Sequence, residues 1–477
     1  MIRLDRPSSD GTWHVSLAGP YFHRGLQEPG GWPTVYGYGS FLQLSSDHAA
    51  ALVNRRVLGE PITDFEDGAD LFVFDSLETL ASSPPIPISR SQRFPSQSGL
   101  TVVTRCITRI GGVVPLDARR PDGRPHPAAG TGFILASHGP LAAHPRPHPD
   151  AAVAGEGFQE LIQIRYDGYT VTITDRFRYR GPELLPHLIS LSQGLSTAIP
   201  DGDDLLTGVS AGPVAPGSQP DSPAIPCSHP HAHPRLGRNV GACFCRWRYG
   251  SKGWRPVEVV PVSGPDLAME PSLVRLPNGT LLMSVRGKGL QEPPGSVTEG
   301  LENTYEHFRV YRSDDNGTTW RSLIHLPRMR NATPVVLNRT SGGTPFLTAN
   351  PYQALRDSHD RIIPSTMTRN RLALWPVEAD QGHLGERFLL LDADQTFGPP
   401  PSGSWDPYLK TDNLWSLDHP IAGPIRLADG RWHTLMAFRV THAAVNHAGA
   451  EPAPAGGFWI AEIEKSGETP VPLWPLD

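Results

Sequence analysis

Short apolar runs alternate with polar residues along most of the chain, and each run ends in a turn signal. A two-residue period of this kind predicts short antiparallel strands. Three hairpins stand out. Leu161–Arg165 and Thr170–Thr174 flank Asp167-Gly168, Ser272–Leu276 and Leu281–Arg286 flank Asn278-Gly279, and Pro424–Leu427 and Trp432–Phe438 flank Asp429-Gly430. Asn-Gly and Asp-Gly supply the positive φ angles that tight hairpin turns require. A looser hairpin surrounds His359-Asp360 and returns through Arg361–Pro364. The one stretch with an amphipathic helical pattern is Pro182–Leu195. The hairpins recur without a strict period, which predicts an all-β propeller with irregular loops rather than a solenoid. Six blades are expected, with seven as the alternative, in one domain over residues 1–477. The Pro-, Gly-, Ser- and Asp-rich residues at about 196–238 are expected to form a long insertion between blades. Residues 112–156 read similarly, with a strand near Gly132–Ala136, and Ala448–Gly456 reads as another loop.

Composition narrows the class. The 477 residues include 51 Pro and 48 Gly, which marks either disorder or a turn-rich fold. The 11 Trp, 16 Phe and 11 Tyr are spread along the whole chain and can fill a core, which favours the fold. The net charge of −6 comes with no Lys/Arg block, so a nucleic-acid partner has no electrostatic footprint. No run approaches the roughly 18 apolar residues of a membrane span. Met1-Ile2-Arg3-Leu4-Asp5 lacks the apolar stretch of a secretory signal, so a cytoplasmic monomer is expected. Four cysteines, Cys106, Cys227, Cys243 and Cys245, are too few for a disulfide scaffold of this size.

Ser313-Asp314-Asp315-Asn316-Gly317-Thr318-Thr319-Trp320 fills every defined position of the Asp-box, Ser-x-Asp-x-Gly-x-Thr-Trp. Asp315 can accept from backbone N–H groups of the turn, Gly317 permits the bend, and Trp320 can pack into a blade. Upstream, the stretch from Glu270-Pro271 through Asn278-Gly279 to Arg286 resembles the central motif of sialidases. The resemblance covers about residues 265–325 and identifies a sialidase-like, Asp-box β-propeller. It implies that Glu270 assists catalysis and that Arg286 binds a substrate carboxylate. In sialidases the Asp-box is structural, and it is expected to be so here.

The hairpin geometry supports those roles independently. Glu270 and Arg286 lie at nearly equal distances from the Asn278-Gly279 turn, so folding returns them to one end of the blade, about 5 Å apart as cross-strand neighbours. An Arg there can hold a carboxylate bidentately, and a Glu can serve as acid, base or partner to a nucleophile. His419 and Arg439 stand in the same relation to Asp429-Gly430. Leu414–Leu435 resembles the sialidase segment that carries the nucleophilic Tyr, but Trp415, Asp418 and His419 stand there instead. That departure puts a covalent Tyr intermediate in doubt and makes His419 a candidate acid or base, or else a surface histidine. Around Asp360, Tyr352 lies on one arm and Arg369 and Arg371 on the other, which would suit sugar binding. Arg93-Phe94-Pro95 is the nearest string to the sialidase Arg-Ile-Pro, whose Arg is the first of three carboxylate ligands.

Cys227, His229, His231 and His233 alternate along an extended, Pro-containing segment and form a candidate zinc site; the alternative is a flexible His-rich loop. Cys243, Cys245, Trp247 and Tyr249 alternate with Phe244, Arg246 and Arg248, so those two cysteines are expected in the core. No cofactor is certain, and a structural zinc at that segment is the one candidate. The leading expectation is an exo-acting, sialidase-like glycoside hydrolase with an acidic glycan as substrate. A propeller polysaccharide lyase for uronate polymers and a non-catalytic glycan-binding propeller are the alternatives.

Overall fold

In the computed structural model the strands form six sheets of four or five strands each, with two further two-stranded ladders. The structure describes residues 1–22, 34–57, 68–90, 92–95, 101–140, 158–179, 181–186, 188–192, 194–213, 241–263, 269–286, 308–326, 334–351, 355–356, 362–363, 369–398, 405–406, 411–412, 415–442 and 455–476. The sheets are the blades of a six-bladed propeller. Their inner strands follow one another around the axis: Thr34–Gln43, Thr101–Val113, Leu188–Ser192 with Ile199–Asp201, Met269–Arg275, Val336–Arg339 and Trp415–Arg426. The ring closes where Trp13–Tyr21 pairs with Gly457–Lys465, so the sixth blade combines strands from both ends of the described chain.

The core lies between blade faces. Phe133 of the second blade stacks on Trp247 of the third with centroids 4.3 Å apart. Trp13 of the sixth meets Phe346 of the fifth edge-on at 5.9 Å. Burying one such ring stabilises the fold by roughly 2–3 kcal/mol. Cys243, Cys245 and Trp247 are fully buried as their alternation predicts, and burial pushes the Cys243 thiol up to about 12. Tyr249, expected beside them, is exposed at the strand's end.

The three predicted hairpins are present with longer arms. The helix expected over Pro182–Leu195 is not. A single turn, Gly181–Leu184, is followed by the strand Leu188–Ser192, because Pro186 cannot continue the helix and Leu188 and Leu191 are needed in the core. Part of the insertion expected from 196 is strand instead. Ile199–Asp201 and Asp204–Pro213 are strands of the third blade, with Leu205, Leu206, Val209 and Ala211 buried.

The Ser313–Trp320 turn joins the two outer strands of the fourth blade, Phe308–Ser313 and Arg321–Leu326. The Asp315 carboxylate accepts from the Thr319 N–H at 2.8 Å, the Thr319 hydroxyl at 2.6 Å and the Ser313 hydroxyl at 2.8 Å. Those bonds hold it below the usual carboxylate range, the Thr319 hydroxyl contributing most. Gly317 adopts φ 94° with its α-carbon against Phe244 of the third blade, where a β-carbon would stand 2.7 Å from the ring. The turn thus has a scaffolding role, pinning two blades together.

Candidate active site

Three inner strands carry the same irregularity at the end of the ring where they begin. Each has one extra residue relative to its neighbour, at Gly37-Tyr38, at Glu270-Pro271 and at His419-Pro420. Proline cannot donate to a ladder, so the two Pro-containing segments leave the sheet there. Glu270 and His419 take φ 50° and 54°, a left-handed backbone that non-glycine residues rarely adopt. The freed carbonyls find partners in a neighbouring blade or, for Tyr38, on the adjacent strand of its own blade. Pro271 O accepts from Leu195 N at 2.8 Å. Pro420 O accepts from the Thr348 hydroxyl at 3.1 Å and from Asn338 Nδ2 at 3.2 Å. Asn350 Nδ2 donates to Leu417 O at 2.7 Å, and Asn54 Nδ2 donates to Tyr38 O at 3.3 Å. These asparagines are almost wholly buried and serve as fixed hydrogen-bond partners of irregular backbone.

The bulges bring side chains of four blades together. Glu270 and Arg286 come from the fourth blade, Arg369 from the fifth, Asp418, His419 and Arg439 from the sixth, and Tyr38 from the first. Arg286 Nη1 donates to Glu270 Oε2 at 2.7 Å. Glu270 Oε1 lies 3.5 Å from His419 Nε2, a contact between blades that are not neighbours and so one made across the central axis. His419 Nδ1 lies 3.0 Å from Asp418 Oδ1. Tyr38 stacks on the imidazole with centroids 4.2 Å apart, and Arg439 lies over the other part of this aromatic patch, 5.2 Å from the Tyr38 centroid.

Asp418 is the hub. It is fully buried. Arg439 grips it with a fork, Nε to Oδ1 at 2.9 Å and Nη2 to Oδ2 at 2.6 Å, and Arg369 Nη1 reaches Oδ2 at 3.0 Å. Burial opposes its ionisation, but Arg439, His419 and Arg369 together outweigh burial and hold the carboxyl well below its usual range. The imidazole therefore sits between two carboxylates, one locked on two guanidiniums and the other on one.

Glu270, Arg286, His419 and Arg439 converge. Counting from the turn centres put Glu270 opposite Arg286 and His419 opposite Arg439; the true partners are Met269 and Asp418, because the bulges shift the register by one residue. Arg371 is turned away from this cluster, pairing with Asp392 on the adjacent strand at 2.7 Å, and Arg369 takes the inward position. Arg93 lies on Gln92–Pro95, which pairs with Thr101–Thr104 in the second blade. Tyr352 and the Cys227, His229, His231 and His233 segment lie outside the described residues. Among the described residues, no group of three or more His, Cys, Asp or Glu could hold a metal ion. Tyr38 and the asparagines gave no sequence signal; Asp418 was visible only as a neighbour of His419.

No family model and no curated protein matches the sequence. Solved structures do. A Trypanosoma rangeli sialidase superposes with a TM-score of 0.50 at 11% identity, over 94% of this chain and 59% of that one. The fold is that of the sialidase-like six-bladed propellers. A protein of unknown function from Dyadobacter fermentans matches with a TM-score of 0.49 at 12% identity, over 94% of this chain and 98% of that one. A leech intramolecular trans-sialidase matches with 0.47 at 11%, over 92% and 69%. This sialidase-like propeller thus spans about 59% of the length of the T. rangeli structure. At such identities the likeness concerns fold, and the chemistry rests on the cluster just described.

Proposed function

We propose that the chain is a glycoside hydrolase whose acid–base centre is the Glu270–His419 pair. The observation that carries this reading is the buried imidazole held between Glu270 and Asp418 on two strained, bulged strands that meet across the axis. Left-handed residues before proline are costly by about 1–3 kcal/mol each and persist where the surroundings impose them, which is common at reacting centres. Asp418 acts as the positioning residue, its carboxylate lying 3.0 Å from Nδ1 while Glu270 faces Nε2. Glu270 is steadied by Arg286 through its other oxygen. Between them, imidazole and carboxylate can take a proton from an attacking water at the anomeric carbon and return one to the leaving oxygen. Trp415 and His419 stand where the resemblance implies a nucleophilic Tyr, so the reading involves proton transfer by His419 and no tyrosyl intermediate.

The test is turnover of a panel of fluorogenic glycosides by the wild-type protein, Glu270→Gln and His419→Gln. Hydrolysis reduced by roughly 10²–10⁴ in both variants supports the reading. Hydrolysis unchanged in either would remove that residue from the mechanism. A histidine rather than a tyrosine at the centre also suits a lyase, with His419 removing a proton next to a uronate carboxylate. That second reading requires an ultraviolet-absorbing unsaturated sugar as product.

A further inference from the structure

All three arginines in the cluster are already engaged by carboxylates of the chain itself. Asp418 receives a bidentate fork from Arg439 and a third bond from Arg369, and it has no exposed surface. Arg286 is likewise engaged by Glu270 at 2.7 Å. Among the described residues of the cluster, each guanidinium thus already faces a carboxylate of the chain. A ligand carboxylate seated on Arg369 and Arg439 would have to displace Asp418 and leave it buried without its partners, which is strongly unfavourable. The inner strand of the first blade, Thr34–Gln43, contains no arginine and places Tyr38 on His419.

We infer that Asp418 is a built-in counterion occupying the place of a substrate carboxylate, and that the sugar unit recognised at this centre is uncharged. The inference rests on the glycoside hydrolase reading and names its substrate class, replacing the acidic-glycan expectation with a neutral one. Hydroxyl groups of a neutral sugar can accept from the outer edge of Arg369, whose side chain is 18% exposed, without disturbing its bond to Asp418.

The experiment pairs calorimetric binding with turnover on the full chain. The ligands are N-acetylneuraminic acid and glucuronic acid against galactose and N-acetylglucosamine, and the matching fluorogenic glycosides serve as substrates. Wild-type protein should bind the anionic sugars more weakly than about 10 mM and at least one neutral sugar more tightly. Asp418→Asn, once its melting curve shows a folded protein, should bind an anionic sugar at least about tenfold better than wild type, since the fork then faces a neutral amide. The wild-type comparison decides the matter even if the variant does not fold. Wild-type protein that prefers an anionic sugar overturns the counterion. If it also cleaves an anionic glycoside and His419→Gln abolishes this, the hydrolase reading survives alone. Neutral-sugar binding without turnover of any glycoside overturns the hydrolase and leaves the counterion standing. No binding of any sugar by wild type overturns both.

Discussion

Glu270 and His419 occupy equivalent positions in two different blades. Each precedes a proline, each is left-handed, each sits in a one-residue bulge, and their side chains meet 3.5 Å apart. The pairing of two such strained sites makes a separable prediction. Glycine adopts φ near 50° freely, so His419→Gly should relieve backbone strain while deleting the imidazole. Activity should fall by at least about 10²-fold while the melting temperature drops less than in Asp418→Ala. A His419→Gly protein as destabilised as Asp418→Ala would show that the imidazole is chiefly a structural partner of Asp418.

Asp418 itself should be the most costly single truncation of the cluster. Replacing it by Ala leaves Arg369 and Arg439 facing a buried void, a situation that costs about 3–5 kcal/mol. Denaturant unfolding of Asp418→Ala, Arg439→Ala and the double variant reads the coupling. The double variant should be less destabilised than the sum of the two; additivity would deny the pair.

The depressed carboxyl of Asp418 also sets a pH dependence. Its contribution is complete above the ordinary carboxylate value of 3.8 and is lost as pH falls towards the much lower folded value. Stability of the wild-type protein should therefore decline with acidification below about pH 4, and a folded Asp418→Asn protein should decline less steeply. Parallel acid-denaturation curves would refute the assignment.

Much of the architecture could be read before the structure because turn chemistry is local. Asn278-Gly279 and Asp429-Gly430 dictate their hairpins whatever surrounds them, and those hairpins bring Glu270, Arg286, His419 and Arg439 to one end of the ring. What escaped was set by tertiary context. The bulges displace the pairing by one residue, so Asp418 rather than His419 meets Arg439. Arg369 and Arg371 look alike in sequence, and only Asp392 on a neighbouring strand separates the outward one from the inward one. Asn54, Asn338 and Asn350 stand in no pattern that marks them, and they are buried because irregular inner strands need side-chain donors.

The Asp-box turn should be separable from the chemistry. Gly317→Ala puts a β-carbon 2.7 Å from the Phe244 ring at φ 94°, where alanine is strained in any case. The melting temperature should fall by several degrees while ligand binding at Glu270 and His419 is retained at temperatures where the protein stays folded. Loss of binding in a fully folded Gly317→Ala protein would give this turn a functional rather than a scaffolding role.

A second histidine predicts stability in the opposite pH direction. His433 Nδ1 lies 2.5 Å from Glu462 and its Nε2 lies 3.2 Å from Asp429. Glu462 raises its pKa above the ordinary 6.5, burial opposes that, and Asp429 adds to the rise. A group raised on folding binds its proton more tightly in the native state, so its contribution is complete below 6.5 and disappears as pH climbs through the folded value. Glu462 and Asp429 are held below their usual range in the same cluster, Asp429 at about 2, so their own contributions vanish only in acid. Melting temperature measured from about pH 6 to about pH 9 should therefore decline, and His433→Gln should flatten that decline because glutamine carries no proton to lose. An unchanged slope in His433→Gln would place the alkaline loss elsewhere in the molecule.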